Sequence, residues 1–497
     1  MWIARWSWLA RERDTWNGDV LGRTRHVHFV GIGGIGMSGI AELLANLGYV
    51  VTGSDETLTA VTARLSTLGI TVLEGHRPAH VDGADVVVVS SAVKATNPEV
   101  VEAGRRQIPV IPRAEMLAEL MRLRYAVAVA GSHGKTTTTS MIAVVLEHAG
   151  LDPTAVIGGR VSAFGGNARL GQGELMVAEA DESDRSFLKL FPTIAVMTNV
   201  DHEHLEAYGG FADLQQAFAD FANRVPFYGA VVACADDEGL VEVLPKIRRH
   251  VRTYGVDAPH ADVTAVDVST GPLTVRATVR QRRLESEGRE SRETLGPLEL
   301  NVPGLHNLRN ALATVAVGLE LDLPFARIAS GLAVFRGAER RFDIRGEPRG
   351  ILIVDDYGHH PTEIAAVLAA ARLLGRRILV AFQPHRFTRT ALLMDAFGAS
   401  LAGADHIVLT DIYPAGEEPM PGITIDALEG AVRRSVAAPV DLVRRLDDVA
   451  PALVRIAQPG DVVITLGAGS IASVADRLVE LISTGTATAA GGGGGRT

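Results

Sequence analysis

The chain has 497 residues, 47% of them apolar and 21% charged, so it is long enough for about three domains with cores of their own. Its net charge of −10 argues against a nucleic-acid-binding surface, which would be basic. The single cysteine, Cys234, excludes intramolecular disulfides and favours a reducing compartment, so we expect a cytoplasmic protein.

The two ends of the chain differ in composition from the rest. Residues 1–25 contain all the tryptophans, and residues 483–497 form a glycine-rich tail. We expect both segments to be disordered. The first segment lacks the uncharged apolar core and cleavage site of a secretory signal. No apolar run reaches the ~20 residues that span a bilayer, so we expect no stable membrane insertion.

The first chemical motif is a glycine loop within residues 26–55. This stretch is predicted to fold as a strand, an amphipathic helix and a second strand that ends at Asp55. Gly31, Gly33 and Gly36 give G-x-G-x-x-G, typical of a loop whose backbone N–H groups bind a pyrophosphate at a helix N-terminus. Taken alone, the motif favours NAD or a related nucleotide, with Asp55 where a ribose-binding acid belongs. A tight turn needed only for packing is the alternative.

A second loop, in AVAVAGSHGKTTTTS (residues 126–140), resembles a phosphate-binding loop with different spacing. The position that normally carries its first glycine is Val129. Lys135 could reach the β- and γ-phosphates of a triphosphate, and the Thr136 hydroxyl could bind Mg²⁺. The predicted loop residues are Gly131, Ser132, His133, Gly134, Lys135, Thr136 and Thr137.

A triphosphate site also needs an acidic metal ligand at the end of a neighbouring strand. Glu179 follows the apolar run 175–178 and meets this requirement. His204 follows the next predicted strand. Mg²⁺ prefers oxygen, and a lone histidine is more often structural, but the proximity of Glu179 and the loop makes His204 a second candidate.

These motifs divide the chain into three α/β blocks with parallel sheets. We predict domains at residues 26–123, 124–342 and 343–482, with a charged hairpin and solvated tip at 281–294 in the central one. A dehydrogenase needs only the first loop and a simple ATPase only the second. Two loops in separate blocks indicate a ligase that joins ATP cleavage to chemistry on a nucleotide-bearing molecule.

The motifs resemble those of the Mur ligase family over residues 25–482. In the family's order the chain contains HFVGIGGIGMSGIAEL, AGSHGKTTT, VAEADESD, TNVDHEHLEAY, PGLHNLRNALA, RRFD, VDDYGHHPTE, FQPHRFTRT and DIYPAGE. The resemblance implies a Rossmann-like N-terminal domain, a central P-loop-type ATPase domain and a Rossmann-like C-terminal domain. The family's loop lacks the earlier glycine, which accounts for Val129. The first loop is then expected to bind the UDP group of a sugar rather than NAD.

The resemblance also implies the activity. It implies an ATP- and Mg²⁺-dependent acid–amino-acid ligase of peptidoglycan precursor synthesis, which we expect to act on UDP-N-acetylmuramate and L-alanine as a monomer or homodimer. Sister branches carry a carbamylated lysine after the metal-binding histidine, whereas residues 205–245 contain no lysine, which favours the alanine-adding branch. Ligation of a whole peptide to the sugar, and an NAD(P)-dependent oxidoreductase that uses only the first loop, stay open.

The resemblance assigns site residues position by position. Catalytic roles fall to Lys135, Arg341 and His360, and a general base is expected among His359, His360 and His385. The ATP site adds to the second loop Asn307, Asn310, Arg341 and Asp356. The UDP-sugar site comprises Gly31, Gly33, Gly34, Gly36, Asp55, Ser91, His385, Arg386 and Arg389. The metal ligands are Thr136, Glu179 and His204, with His202 as the alternative to His204.

Overall fold

The structure is a computed structural model that describes residues 21–90, 92–161, 166–284 and 290–484. It contains two compact units, divided between Arg252 and Thr253. Several predictions fall outside the described residues: the role of Ser91, the solvated tip at 285–289, and most of the predicted disorder of residues 1–25 and 483–497. Of those two segments the structure describes residues 21–25 and 483–484, and the last two belong to the final helix, Ala472–Thr484, so the disorder predicted for them was wrong.

The first sheet of the N-terminal unit has five parallel strands in the order β3-β2-β1-β4-β5. Its elements are β1 (His26–Val30), α1 (Ile35–Asn46), β2 (Val50–Asp55), α2 (Ala60–Thr67), β3 (Thr71–Glu74), β4 (Val86–Val89), α3 (Pro98–Arg105), β5 (Val110–Pro112) and α4 (Arg113–Met121). The predicted strand–helix–strand unit is confirmed. The strand order reverses between β1 and β4, and in such sheets this switch point is where ligands bind. The first glycine loop directly follows β1.

The second sheet of this unit is also mostly parallel, in the order β11-β10-β6-β9-β7-β8 with β8 antiparallel. Its elements are β6 (Tyr125–Ala130), α5 (Lys135–His148), β7 (Thr154–Val161), β8 (Gly166–Arg169), β9 (Leu175–Glu179), β10 (Ile194–Met197), α6 (Phe211–Asn223), β11 (Ala230–Cys234) and α7 (Glu238–Val241). Strands β6, β9 and β10 are short apolar runs with almost all residues buried, as is typical of central strands in a parallel sheet. Their carboxyl ends bring the second loop, Glu179 and the segment after Met197 to one edge.

The division between the units falls within β12 (Val251–Gly255). The C-terminal unit continues with β13 (Val263–Thr270), β14 (Val275–Leu284), β15 (Glu290–Leu300), α8 (Leu305–Glu320) and α9 (Phe325–Val334). Strands β14 and β15 pair antiparallel, with Leu284 opposite Glu290. The predicted hairpin is therefore confirmed.

The last sheet has the order β16-β17-β21-β18-β19-β20, with only the edge strand β16 antiparallel. Its elements are β16 (Asp343–Gly346), β17 (Leu352–Asp356), α10 (Pro361–Arg372), β18 (Ile378–Phe382), α11 (Phe387–Leu392), α12 (Met394–Ser400), β19 (His406–Leu409), α13 (Ile425–Ser435), β20 (Val440–Leu442), α14 (Leu446–Ile456), β21 (Val462–Leu466) and α15 (Ala472–Thr484). Separate apolar clusters cover its two faces.

These sheets confirm the predicted α/β class and its mostly parallel strands. The domain bounds themselves stay predictions. Among the helices of the described ranges, none combines the length and apolarity needed to cross a membrane.

Candidate active site

The first glycine loop is held by the strand beside it. Gly31 has φ +80°, and its N–H and that of Ile32 donate to the Ser54 carbonyl at 2.8 and 3.0 Å. The Gly33 N–H donates to Oδ2 of Asp55 at 2.7 Å, and a Cβ at Gly33 would lie 2.8 Å from that oxygen. The structure therefore brings the predicted acid to the loop, where it holds the loop's backbone.

An arginine that the sequence reasoning missed lies against the same loop. A Cβ on Gly36 would collide with Nη1 of Arg113, the first residue of α4. Helix α1 begins at the loop without a side-chain cap. A guanidinium and the positive end of a helix thus lie close together, an arrangement that suits an anion. Arg113 also forms an ion pair with Asp181 at 3.6 Å.

Behind this loop lies a buried carboxylate, Glu99, that the sequence reasoning also missed. Ser54 donates to it at 2.6 Å, and ring nitrogens of His80 and His28 lie 2.7 and 3.3 Å from its oxygens. His76 Nδ1 lies 3.5 Å away. Burial alone would raise the pKa of Glu99, but the hydrogen bonds from His28, Ser54 and His80 lower it to about 2. Glu99 is therefore charged at neutral pH and supports the strand that holds the loop.

The second loop takes a conformation that only glycine tolerates well. Gly131 has φ +143°, and a Cβ there would collide with Oγ1 of Thr198; Gly134 has φ +80° and directly precedes α5 as its N-cap. Thr198 donates to the His133 carbonyl at 2.6 Å. Asn199 accepts from the His133 N–H at 2.7 Å and donates to its carbonyl at 3.0 Å. These two residues follow β10 directly, and that position is the signal that could have identified them.

Further along the same segment, acidic residues contact the loop. The Asp201 N–H donates to Oγ of Ser132 at 2.9 Å, and Oδ2 of Asp201 lies 3.0 Å from Nε2 of His133. Oε2 of Glu203, a buried residue, lies 3.8 Å from Nδ1 of His133. The side chains of the predicted loop residues Ser132 and His133 thus contact this acidic segment.

Lys135, the first residue of α5, folds back over the loop. Its ammonium donates to the carbonyls of Gly131 and Ser132 at 2.6 and 3.2 Å and to Oε1 of Glu182 at 2.8 Å. Burial alone would lower the pKa of Lys135, but the carboxylates of Glu182 and Asp181 raise it above its ordinary value. Lys135 is therefore a cation at neutral pH, which suits it to bind a phosphate.

The predicted metal ligands lie on three segments of the same sheet edge. Thr136 lies in the first turn of α5, and Glu179 ends β9, where Oε1 accepts from the Gly158 N–H at 2.8 Å. His204 has a left-handed backbone, φ +57°, and its side chain is 17% exposed. The alternative, His202, is 64% exposed and stacks on Phe211 with ring centroids 4.0 Å apart. This geometry favours His204; ligation itself stays a prediction.

In the C-terminal unit, Asn307 and Asn310 lie on the first turns of α8. Both are buried, and the Asn310 amide donates to the Asn307 side-chain oxygen at 3.4 Å. The Asn307 amide donates to the Pro303 carbonyl at 2.7 Å. The structure thus brings the predicted pair together at a helix N-terminus that no side chain caps.

Asp356 holds the turn that carries Arg341. Its two oxygens accept from the N–H groups of Phe342 and Gly358, each at 2.7 Å. Residues Arg340 and Phe342 both have positive φ, +59° and +49°, so the turn needs this support. Burial raises the pKa of Asp356 to about 6, and Arg341 opposes the rise. Asp356 was predicted to bind ATP, and here its oxygens contact backbone.

The side chain of Arg341 is held by an aromatic ring and an acid. Its guanidinium lies 5.2 Å from the ring centroid of Tyr357, and Nη1 lies 3.4 Å from Oε1 of Glu363. The contact with Glu363 connects Arg341 to the first turn of α10, which begins at Pro361 and has His360 as its N-cap. His360 accepts from the Thr362 N–H at 3.4 Å. Glu363 therefore connects Arg341, which precedes β16, to the N-terminus of α10, where His360 lies.

Two further predicted histidines pack edge to face beyond β17 and β18. The rings of His359 and His385 are 5.6 Å apart, and His385 stacks on Tyr413 at 5.5 Å. Nη1 of Arg389 lies 3.2 Å from Nδ1 of His385. Burial lowers the pKa of His359 to about 3, and burial together with Arg389 lowers that of His385 to about 4. Both imidazoles are neutral at pH 7.

Arg386 is the remaining residue of the predicted UDP-sugar site that follows β18. It has φ +73°, and its N–H donates to the Tyr413 carbonyl at 2.8 Å. With Arg389 it gives the carboxyl end of β18 two guanidinium groups, which suits an anionic substrate. Sequence reasoning missed Tyr413, which follows β19 by a few residues and contacts both His385 and Arg386.

Family models match the chain in three consecutive segments. The Mur ligase family catalytic domain matches residues 26–125, the Mur ligase middle domain 129–318, and the Mur ligase glutamate ligase domain 340–469. The chain belongs to the Mur ligase family, whose members are ATP-dependent ligases.

Individual relatives extend the match to nearly the whole chain. It is 52% identical to UDP-N-acetylmuramate–L-alanine ligase of Solibacter usitatus, and the match covers 93% of this chain and 96% of that protein. It is 53% identical to the enzyme of the same name from Myxococcus xanthus, and that match covers 93% of this chain and 97% of the relative. Among solved structures, UDP-N-acetylmuramate-alanine ligase from Thermotoga maritima has a TM-score of 0.76 at 31% identity, covering 93% of this chain and all of that one. A murein peptide ligase from Psychrobacter arcticus has a TM-score of 0.68 at 26% identity over 92% and 99%.

Proposed function

We propose that this enzyme joins L-alanine to the lactyl carboxylate of UDP-N-acetylmuramate and cleaves ATP to ADP and phosphate. The observation that carries the proposal is the identity of 52–53% over 93% of the chain to relatives named for this reaction. The two glycine loops on separate sheets support it, because the reaction has two phosphate-bearing substrates, ATP and the UDP-sugar. Since the reaction consumes ATP, we place it in the cytoplasm.

The first step activates a poor electrophile. A lactyl carboxylate oxygen attacks the γ-phosphorus of ATP, the bond to the β-phosphate oxygen breaks, and an acyl phosphate and ADP result. The groups involved are all anionic, so the protein's contribution is positioning and charge stabilisation. Lys135 is suited to the β- and γ-phosphates, and Arg341 to the charge that develops at the transferred group. Asn307, Asn310 and Asp356 would position the nucleotide.

The oxygen atoms that the second loop and β9 offer are of the kind that Mg²⁺ prefers as ligands. Thr136 offers a hydroxyl oxygen and Glu179 a carboxylate whose Oε1 is fixed by the Gly158 N–H at 2.8 Å. His204 would add a nitrogen ligand to a second ion. When bound, the metal would neutralise phosphate charge and align the triphosphate.

In the second step the neutral amine of L-alanine attacks the acyl carbon, and the carbon–oxygen bond to phosphate breaks. The nitrogen loses a proton as the amide forms. His359 and His385 are neutral at pH 7 and could accept it, and His360 is the third candidate. Arg386 and Arg389 would bind anionic groups of the sugar nucleotide or the amino acid.

The test is phosphate release by the purified enzyme with ATP, Mg²⁺ and UDP-N-acetylmuramate, with and without L-alanine. We expect release to require both substrates and to accompany a new UDP-sugar amide, detected by mass spectrometry. Turnover with a preformed peptide but not with L-alanine would instead assign the reaction named for the Psychrobacter arcticus structure. Absence of turnover with every amine would refute the proposal.

A further inference from the structure

The ammonium of Lys135 has no donor left for a phosphate. It carries three N–H groups, and it makes three hydrogen bonds: to the carbonyls of Gly131 and Ser132 at 2.6 and 3.2 Å and to Glu182 at 2.8 Å. A nucleotide phosphate that binds Lys135 must therefore take the place of one of these acceptors.

Glu182 is the acceptor that a phosphate can replace. The two carbonyls belong to the loop itself and are neutral, whereas Glu182 carries the same sign of charge as a phosphate. Its side chain is 1% exposed, and Oε2 has no hydrogen-bond partner among the described residues. A buried carboxylate with one unpaired oxygen is costly, so the ion pair with Lys135 is its main stabilisation.

The surroundings of Glu182 support this assignment. The Tyr208 hydroxyl donates to the Glu182 backbone carbonyl at 2.5 Å, so the backbone is anchored independently of the carboxylate. Burial raises the pKa of Glu182 to about 7; Lys135 opposes the rise and Asp181 adds to it. The charged form of this buried carboxylate therefore depends on Lys135.

We propose that Glu182 is a positioning residue that holds the Lys135 ammonium over the second loop until a nucleotide phosphate displaces it. The inference rests on the proposed function, in which Lys135 binds the phosphates of ATP. While the site is empty, Glu182 keeps the lysine directed into the loop. The nucleotide phosphate therefore competes with Glu182 for Lys135, because it must break the ion pair between these two residues before it can form its own.

The first experiment is calorimetric titration with ADP in the presence of Mg²⁺. Glu182→Gln keeps the size of the side chain and removes its charge, so we expect ADP to bind at least about threefold more tightly. The KM for ATP should fall by a similar factor, without a rise in kcat. Glu182→Asp keeps the charge and should stay within about twofold of the wild type. Glu119→Gln, at a half-exposed surface acid, is the matched control.

A second measurement reports on Lys135 directly. The chain has only four lysines, Lys94, Lys135, Lys189 and Lys246, so a spectrum of protein labelled with ¹³Cε-lysine resolves each one. Lys135→Arg identifies the Lys135 signal. We expect that signal to move when ADP binds the wild type, and to lie nearer the bound position in free Glu182→Gln.

The outcomes separate this inference from the proposed function. Equal or weaker ADP binding by a folded Glu182→Gln, with an unmoved Lys135 signal, overturns the inference and leaves the ligase intact. Failure of the wild-type protein to bind ADP at all contradicts both.

Discussion

Oδ2 of Asp55 accepts a hydrogen bond from the Gly33 N–H at 2.7 Å, so the last residue of β2 holds the loop that follows β1. Asp55→Ala removes this acceptor. A hydrogen bond to a charged group is worth about 1.5–3 kcal/mol, so we expect UDP-N-acetylmuramate to bind roughly tenfold or more weakly. Binding of ADP should not change, because the second loop belongs to another sheet.

The control for this variant is Asp82→Ala. Asp82 lies just before β4 of the same sheet, but its side chain is 63% exposed and forms a surface ion pair with Arg106. Its loss should leave binding of the UDP-sugar unchanged. If the two variants behave alike, Asp55 has no specific role in the loop.

Lys135→Ala should separate the two nucleotide sites. Removal of the cation at the phosphates should lower ATP-dependent turnover by at least about 100-fold. The affinity for UDP-N-acetylmuramate should remain, and calorimetry of the purified variant measures it. Loss of both together would argue that the two loops do not act as separate sites.

Gly131→Ala tests the conformation of the second loop. Alanine at φ +143° is strained by about 1–3 kcal/mol, and its Cβ would also collide with Thr198. We expect loss of ADP binding together with a lower melting temperature. Gly150→Ala is the control, since Gly150 also has positive φ, +80°, but has no neighbour within 4 Å of a Cβ. That variant should lose some stability and keep its ADP affinity.

The buried Glu99 should make stability depend on pH. Its pKa in the folded protein is lowered from 4.5 to about 2, so its stabilisation is fully present above pH ~4.5 and is lost as the pH falls towards ~2. A lowering of this size corresponds to about 3 kcal/mol. We expect Glu99→Gln to reduce the free energy of unfolding at pH 7, and the difference from the wild type to shrink below pH 4.5. Denaturant unfolding at several pH values measures this, and a pH-independent difference would contradict it.

Structural features that depend on a short stretch of the chain could be predicted from the sequence. Both glycine loops, the strands before them and Glu179 at the end of β9 follow from local patterns of glycine and apolar residues. The hairpin of β14 and β15 was likewise visible as a charged, β-rich stretch.

What the sequence could not show depends on distant contacts. Glu99 meets Ser54 and His28 across 45 and 71 positions of the chain. Arg113 reaches Gly36 only because α4 packs beside the first loop. In VAEADESD, nothing local distinguishes Glu182, which contacts Lys135, from the other acids of the segment. These partners are selected by the packing of sheets and helices, which no single segment specifies.

In the proposed reaction the γ-phosphoryl group of ATP activates the lactyl carboxylate of UDP-N-acetylmuramate. The most direct measurement uses UDP-N-acetylmuramate labelled with ¹⁸O in that carboxylate, with ATP, Mg²⁺ and L-alanine, and determines the mass of the released phosphate. An acyl phosphate predicts that each phosphate carries one ¹⁸O atom from the carboxylate. Unlabelled phosphate would mean that water, not the carboxylate, attacks ATP, and would contradict the ligase mechanism.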